Sequence, residues 1–176
     1  CQMVKTERGV RVEDLIAVLA STGGFSCIVA ALDDVHSGAE PASGIMAVQT
    51  KTGEQYYFGE LPNRYLIESE FALLSLALGA AQAVGATVSM EQMLDTLRHV
   101  AASVGAPQFG VPRLPAQNMP GDLPLSYVKH LWPKIVGALD LYQVPPAKRP
   151  CAIGFALQAA VEAAKNAIDP ALAARV

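Results

Sequence analysis

FALLSLALGAAQAVGATVSM, residues 71–90, carries no charged side chain. As a helix it is apolar around most of its circumference, which predicts burial on nearly all sides. Ser75, Gly79 and Ala83 recur four apart and form a stripe of small residues where a neighbouring backbone can come close. The stretch reaches the roughly 20 residues that a bilayer span needs. Against a span, Ser75, Gln82, Thr87 and Ser89 are polar, Gly79 and Gly85 weaken the helix, and no Lys or Arg cluster flanks it. The reading is a central apolar helix over residues 64–85 that the rest of the chain covers. Pro62 and Asn63 open it, Arg64, Glu68 and Glu70 form a charged entry, and Gly85 ends it.

Working outward, the stretch before it holds the only clear strand signal. Residues 45–50 and 55–58 flank Lys51-Thr52-Gly53-Glu54, which predicts a β-hairpin over 45–58 with Gly53 supplying a positive φ. A lone two-stranded hairpin is marginal in water, so it must dock on helices or pair across a subunit interface. Further upstream, Val12, Leu15, Ile16 and Leu19 mark one helical face, with Glu13 and Asp14 in the first turn, where the helix dipole favours negative charge. Gly23-Gly24 reads as a break. Residues 25–35 are ambiguous between strand and helix. Cys27, Ile28, Ala31 and Leu32 tip the reading to a second helix, paired with the first as a helical hairpin.

Downstream, Ser89 with Gln92 three residues later has capping-box spacing, and Met93, Leu94, Leu97, Val100, Ala101 and Val104 form an apolar face. Gly105 and Pro107 end that helix. Five prolines between 107 and 124 exclude regular structure, and Phe109, Val111, Leu114 and Met119 predict an extended strap lying on the protein. Residues 125–142 are helical, with Pro133 expected to kink or break the helix after Trp132. Residues 151–168 form an alanine-rich helix, the expected neighbour of the small-residue stripe, and Asp169-Pro170 starts a last turn. The sum is an α+β, mainly α fold: about six helices around the central one, plus the hairpin, in a single domain of residues 1–176.

Composition bounds the function. Of 176 residues, 52% are hydrophobic and 16% charged, against roughly 25% charged in an ordinary soluble domain. Low charge and high alanine content point to self-association as a homo-oligomer, a homodimer being the simplest case. A net charge of −3, with Lys and Arg scattered, argues against nucleic acid. Membrane association is disfavoured on the grounds above.

Three cysteines, Cys1, Cys27 and Cys151, are too few and too far apart for a disulfide framework or a metal knuckle, which places the chain in a reducing, cytoplasmic setting. Cys1 at the start admits four readings: an N-terminal nucleophile, a lipidated cysteine, a remnant of cloning ahead of Met3, or the first ordered residue of a longer chain. The last two are favoured because nothing downstream supports the others.

No nucleotide-binding, hydrolase-elbow, zinc-protease or calcium-loop motif occurs, so no cofactor and no metal is expected. His36, His99 and His130 come from separate segments without ligand spacing. Asp33-Asp34 with His36 reads as a polar helix end rather than a cation loop. Cys27 reads as an inert core thiol, and Cys151, after Lys148 and Arg149, as the better placed of the two for reactivity. One constellation stands out as a ligand site. Tyr57, Arg64 and Glu68, with Tyr56 and Asn63, lie close in sequence at the head of the central helix, and Arg113 in the strap is positioned to complete a pocket. A salt-bridged helix start is the simpler account of the same residues. The expected function is therefore contact between proteins, including self-association, without an obvious enzymatic role. The alternative is a small-molecule-binding protein or hydrolase with its pocket between hairpin, helix head and strap.

Overall fold

The computed structural model describes residues 5–6, 9–50, 53–106 and 108–176. The expectations on Cys1, Lys51, Thr52 and Pro107 fall outside them. In chain order the elements are β1 (Lys5–Thr6) and β2 (Gly9–Val10), α1 (Val12–His36), β3 (Met46–Gln49), β4 (Gln55–Phe58), α2 (Glu60–Asn63), α3 (Leu73–Ala83), α4 (Met90–Ala102), α5 (Pro124–Leu141), α6 (Arg149–Ala164) and α7 (Pro170–Ala173). The fold is α+β and mainly helical, as expected, with β3 and β4 forming the antiparallel hairpin. β1 and β2 form a second, very short antiparallel pair.

The central position belongs to α1. This helix runs unbroken for 25 residues through Gly23-Gly24, where two helices in a hairpin were expected. No residue from 12 to 32 is exposed. An all-round apolar helix needs neighbours on every side, and α5 and α6 flank it while α3 packs on α6 and reaches α1 at Gly23. The glycine is there for that approach: a Cβ on Gly23 would stand 2.9 Å from a Leu73 methyl and 3.3 Å from Ile153. The two buried hydroxyls of α1 are satisfied within the helix, Thr22 Oγ1 donating to the Val18 carbonyl at 2.7 Å and Ser26 Oγ to that of Gly23 at 2.5 Å. Cys27 is 1% exposed, and burial pushes its thiol up to about 12, so it stays protonated and inert.

The segment expected as one helix over 64–85 is two. After α2, residues 64–68 continue as a wider turn in which the Ser69 amide donates to the Arg64 carbonyl, five residues back, at 3.0 Å. Ser69 and Ala72 are extended (ψ 156° and 144°), and α3 begins at Leu73. The break lets each piece meet a different partner. Tyr65 donates its hydroxyl to Asp34 Oδ2 at 2.7 Å, tying the first piece to the end of α1, while Leu73 and Leu76 of α3 press on α6. Phe71 turns outward and meets Phe155 with ring centroids 6.3 Å apart. The alanine-rich helix is indeed the neighbour of α3, with Gln158 Nε2 donating to the Leu76 carbonyl at 3.3 Å. The contact does not use the expected stripe, since Gly79 and Ala83 are exposed. The close approach is at Gly154, where a Cβ would lie 2.5 Å from Leu76 Cδ1. Ile16, Leu73, Leu76, Leu157 and Val161 are each at most 7% exposed along this seam, and such burial stabilises by about 2 kcal/mol per side chain.

By length and composition α1 and the stretch 60–83 are each apolar enough to cross a membrane. Here half of the most apolar window of α1 is buried by other elements of the same chain, which is the arrangement of a core helix. α5 accommodates Pro133 without ending. The ends of the shorter elements follow local rules. Ser89 and Gln92 form the reciprocal capping box of α4, with Ser89 N donating to Gln92 Oε1 at 2.8 Å and Gln92 N to Ser89 Oγ at 3.3 Å. Asp169 Oδ1 caps α7 by accepting from Ala171 N at 2.8 Å and Leu172 N at 3.2 Å.

Candidate functional site

The strap begins where α4 ends, at Gly105 with φ +79°, and its far end is clamped onto the start of α1. Asp14, 4% exposed, accepts from the Gly121 amide at 2.5 Å and from the Tyr127 hydroxyl at 2.8 Å. That hydroxyl in turn accepts from the Asp122 amide at 3.1 Å. Arg11 donates to the Met119 carbonyl at 2.9 Å, and Asn118 to Glu13 at 3.2 Å. Tyr127 is 1% exposed, and burial followed by the Asp14 carboxylate pushes its pKa up to about 12. Asp14 sits in the first turn of α1, where the dipole stabilises a carboxylate. The knot fixes the path of the strap back towards α4.

α4 is held far less firmly. Of its apolar face only Met93 is buried, in a cluster with Leu74, Leu78 and Val88. Leu97 packs beside that cluster, while Val100 and Val104 line a groove of about 1470 Å³ between α4, the strap, the hairpin, the middle of α1 and the start of α5. Its floor is apolar, with Phe25 and Ile28 from α1, Val100 from α4 and Val128 from α5. Tyr56 and Phe109 meet edge to face at 4.7 Å and join hairpin to strap along one side. The rim is charged and electrically balanced: Glu54, Glu91 and Asp95 face Arg98, Arg113 and Arg175, and all six are exposed. Arg113 lies 3.8 Å from Asp95, Arg175 donates to the Arg113 carbonyl at 2.6 Å, and Glu54 lies 3.9 Å from Lys129. Among the described residues, the side chains of Arg98 and His99 have no hydrogen-bond or ion-pair partner. Partial burial and the neighbouring Glu54, whose Oε2 accepts its hydroxyl at 3.1 Å, raise the pKa of Tyr56.

The residues singled out from sequence are divided by this geometry. Tyr56 and Arg113 stand in the groove wall, and Tyr57, Arg64 and Glu68 do not. Tyr57 points to the opposite face of the hairpin, its hydroxyl donating to Gln55 at 3.0 Å. Arg64 pairs with Glu40 at 2.6 Å rather than with Glu68, which is exposed along with Asn63. The sequence missed Phe25, Ile28, Val100 and Val128. Their helical spacing was visible, but it reads identically for a core face and for a groove floor.

Asp122, Ser126 and His130, one helical turn apart at the start of α5, have the composition of a hydrolytic triad without its order. Ser126 donates to Asp122 Oδ2 at 2.5 Å, which holds that carboxylate below its usual range. His130 Nδ1 lies 2.8 Å from the Ser126 carbonyl, so it carries the proton, and it therefore cannot take one from the serine 3.3 Å away. These three residues bond locally along the first turns of α5. Asp34 is engaged by Tyr65, and among the described residues no three His, Cys, Asp or Glu side chains cluster as metal ligands would. Cys27 and Cys151 are free thiols, the second half-buried near the start of α6.

Comparison with protein families, with characterised proteins and with solved structures finds no match to this chain.

Proposed function

We propose that the chain acts as one domain that binds a ligand in the groove, an elongated small molecule with an apolar body and a polar or zwitterionic end. The observation that carries this reading is the floor-and-rim arrangement: apolar side chains from three helices beneath, balanced charges above. Arg98 and His99 are the rim donors left for a ligand. A cytoplasmic setting belongs to the same proposal, in keeping with the free thiols of Cys27 and Cys151.

The chain supplies its own reporter. Phe25 lines the groove and packs edge-on against Trp132, the single tryptophan, with ring centroids 5.1 Å apart. Titration with zwitterionic lysophospholipid or long-chain acylcarnitine below their micellar concentrations is expected to change Trp132 emission saturably. Val100→Phe, which fills the floor and leaves Trp132 the single tryptophan, is expected to weaken that binding at least about tenfold, the loss of roughly 1.4 kcal/mol. Saturable binding undiminished by Val100→Phe places the ligand elsewhere, and the absence of saturable binding across both series removes the groove reading.

A second reading, self-association, is favoured by one separate observation. All four residues of β3 are exposed, Met46 at 61% and Val48 at 45%, on a two-stranded sheet that gains little stability by itself. Light scattering on the eluting protein is expected to give twice the 18.5 kDa chain mass. A single chain mass at every concentration from micromolar upward contradicts this reading.

A further inference from the structure

We infer that the outer edge of β3 pairs with β3 of a second copy, antiparallel, about a two-fold axis through Val48. This rests on the self-association reading and specifies its geometry. The Thr50 amide donates to the Glu54 carbonyl at 2.8 Å, and the register pairs Val48 with Tyr56 and Met46 with Phe58. Hydrogen-bonded pairs recur at every second residue of an antiparallel ladder. The backbone groups of Met46, Val48 and Thr50 therefore turn inward to β4, and those of Ala47 and Gln49 turn to the outer edge. Ile45, the next outward residue, donates its amide to the Ala42 carbonyl at 3.1 Å. The symmetric register that engages every outward amide and carbonyl of the strand, using strand residues alone, sets Ala47 of one copy opposite Gln49 of the other, twice. Val48 then meets its own counterpart on the axis.

Chemistry selects a second copy as the occupant. Exposed edges are normally guarded by Lys, Pro, an inward charge or a bulge, and residues 46–50 contain no charge and no proline, with an unbulged register. A dyad through Val48 sets no charged residue of the strand against its equivalent, and it brings two valines into a non-hydrogen-bonded pair, where side chains lie closest. It also doubles the sheet to four strands, which relieves the marginality of an isolated hairpin. Val48 and Gln49 border the groove. The axis therefore places the grooves of two copies side by side, each completed at its mouth by the other chain.

The test uses the full chain with Cys1→Ser and Cys151→Ser, to leave only buried Cys27, and adds either Val48→Cys or Gln49→Cys. Across a non-hydrogen-bonded pair the Cα separation of about 4.5 Å suits a disulfide. Mild oxidation is expected to cross-link Val48→Cys about tenfold faster than Gln49→Cys, whose partner position is Ala47. Val48→Lys, which sets like charges face to face, is expected to give the single chain mass with an unchanged helical circular dichroism spectrum. Cross-linking of Gln49→Cys as fast as Val48→Cys, or a dimer that survives Val48→Lys, overturns the register and leaves self-association standing. A wild-type chain that is monomeric throughout overturns both.

Discussion

Asp14→Ala is expected to destabilise the fold by about 3 kcal/mol, since buried donors that lose a charged acceptor cost about 1–3 kcal/mol each. Two donors lose that acceptor: the Tyr127 hydroxyl, on a residue 1% exposed, and the Gly121 amide, on an exposed glycine. The cost falls on the buried hydroxyl, and the lost Gly121 bond frees the strap from the start of α1. In a chain of this size about 3 kcal/mol lowers Tm by roughly 9 °C. Urea denaturation is the direct measurement. Asp14→Asn keeps an acceptor oxygen for both donors and is expected to fall between wild type and alanine. Because the knot anchors the strap that walls the groove, Asp14→Ala should also weaken Trp132-reported binding at temperatures where the chain remains folded. An alanine variant within about 0.5 kcal/mol of wild type, the scatter of ordinary surface changes, sinks the idea that this carboxylate clamps the strap.

Gly154→Val and Gly79→Ala are expected to move stability in opposite directions. At Gly154 the first added carbon would stand 2.5 Å from Leu76 Cδ1 and 3.5 Å from Leu73 Cδ1, in the tightest seam between α3 and α6. Forcing it in requires helix separation or off-rotamer leucines, and overpacking of this kind costs about 1–3 kcal/mol. The γ-methyls of valine push the expectation to the upper end. At Gly79 nothing lies within 4 Å of the equivalent carbon and the residue is exposed. Alanine there removes backbone freedom from the unfolded chain and is expected to add about 0.5–1 kcal/mol. Chemical denaturation of the two variants side by side checks the pair. If Gly79→Ala destabilises as Gly154→Val does, the small-residue stripe of α3 is in contact with something, and the second copy is the first place to look.

How much of the candidate site was legible follows from the range of the interactions involved. Tyr56 and Arg113 were picked out because an aromatic hairpin and an arginine in a proline-rich strap are conspicuous in one dimension. Arg64 and Glu68 were grouped by their one-turn spacing, but a helix that widens over 64–68 and then stops removes that relation, and Glu40, 24 residues earlier, takes the arginine. The floor residues Phe25, Ile28, Val100 and Val128 come from three helices far apart in the chain. No local pattern distinguishes an apolar face that reaches the core from one that stops short of it.

The features that the amino-acid order determined by itself are those governed by contacts within about five residues. They are the hairpin with Gly53 at φ +87°, the Ser89–Gln92 capping box, the Asp169 cap, and, among the described residues, the absence of regular strands and long helices along the proline-rich strap. Each depends on a backbone group meeting a side chain or a turn close by. Tertiary structure decided the rest. Gly23-Gly24 is a break by propensity, yet α1 passes through it because Leu73 and Ile153 need the space that glycine leaves. Residues 64–85 form one apolar run by composition, yet the chain bends at Ser69–Ala72 so that Tyr65 reaches Asp34 while Leu76 reaches Gly154. Propensity differences of about 1 kcal/mol per residue yield to packing and buried hydrogen bonds, which sum over many partners. For that reason the central helix of this protein is α1, the one whose sequence carries the glycine pair.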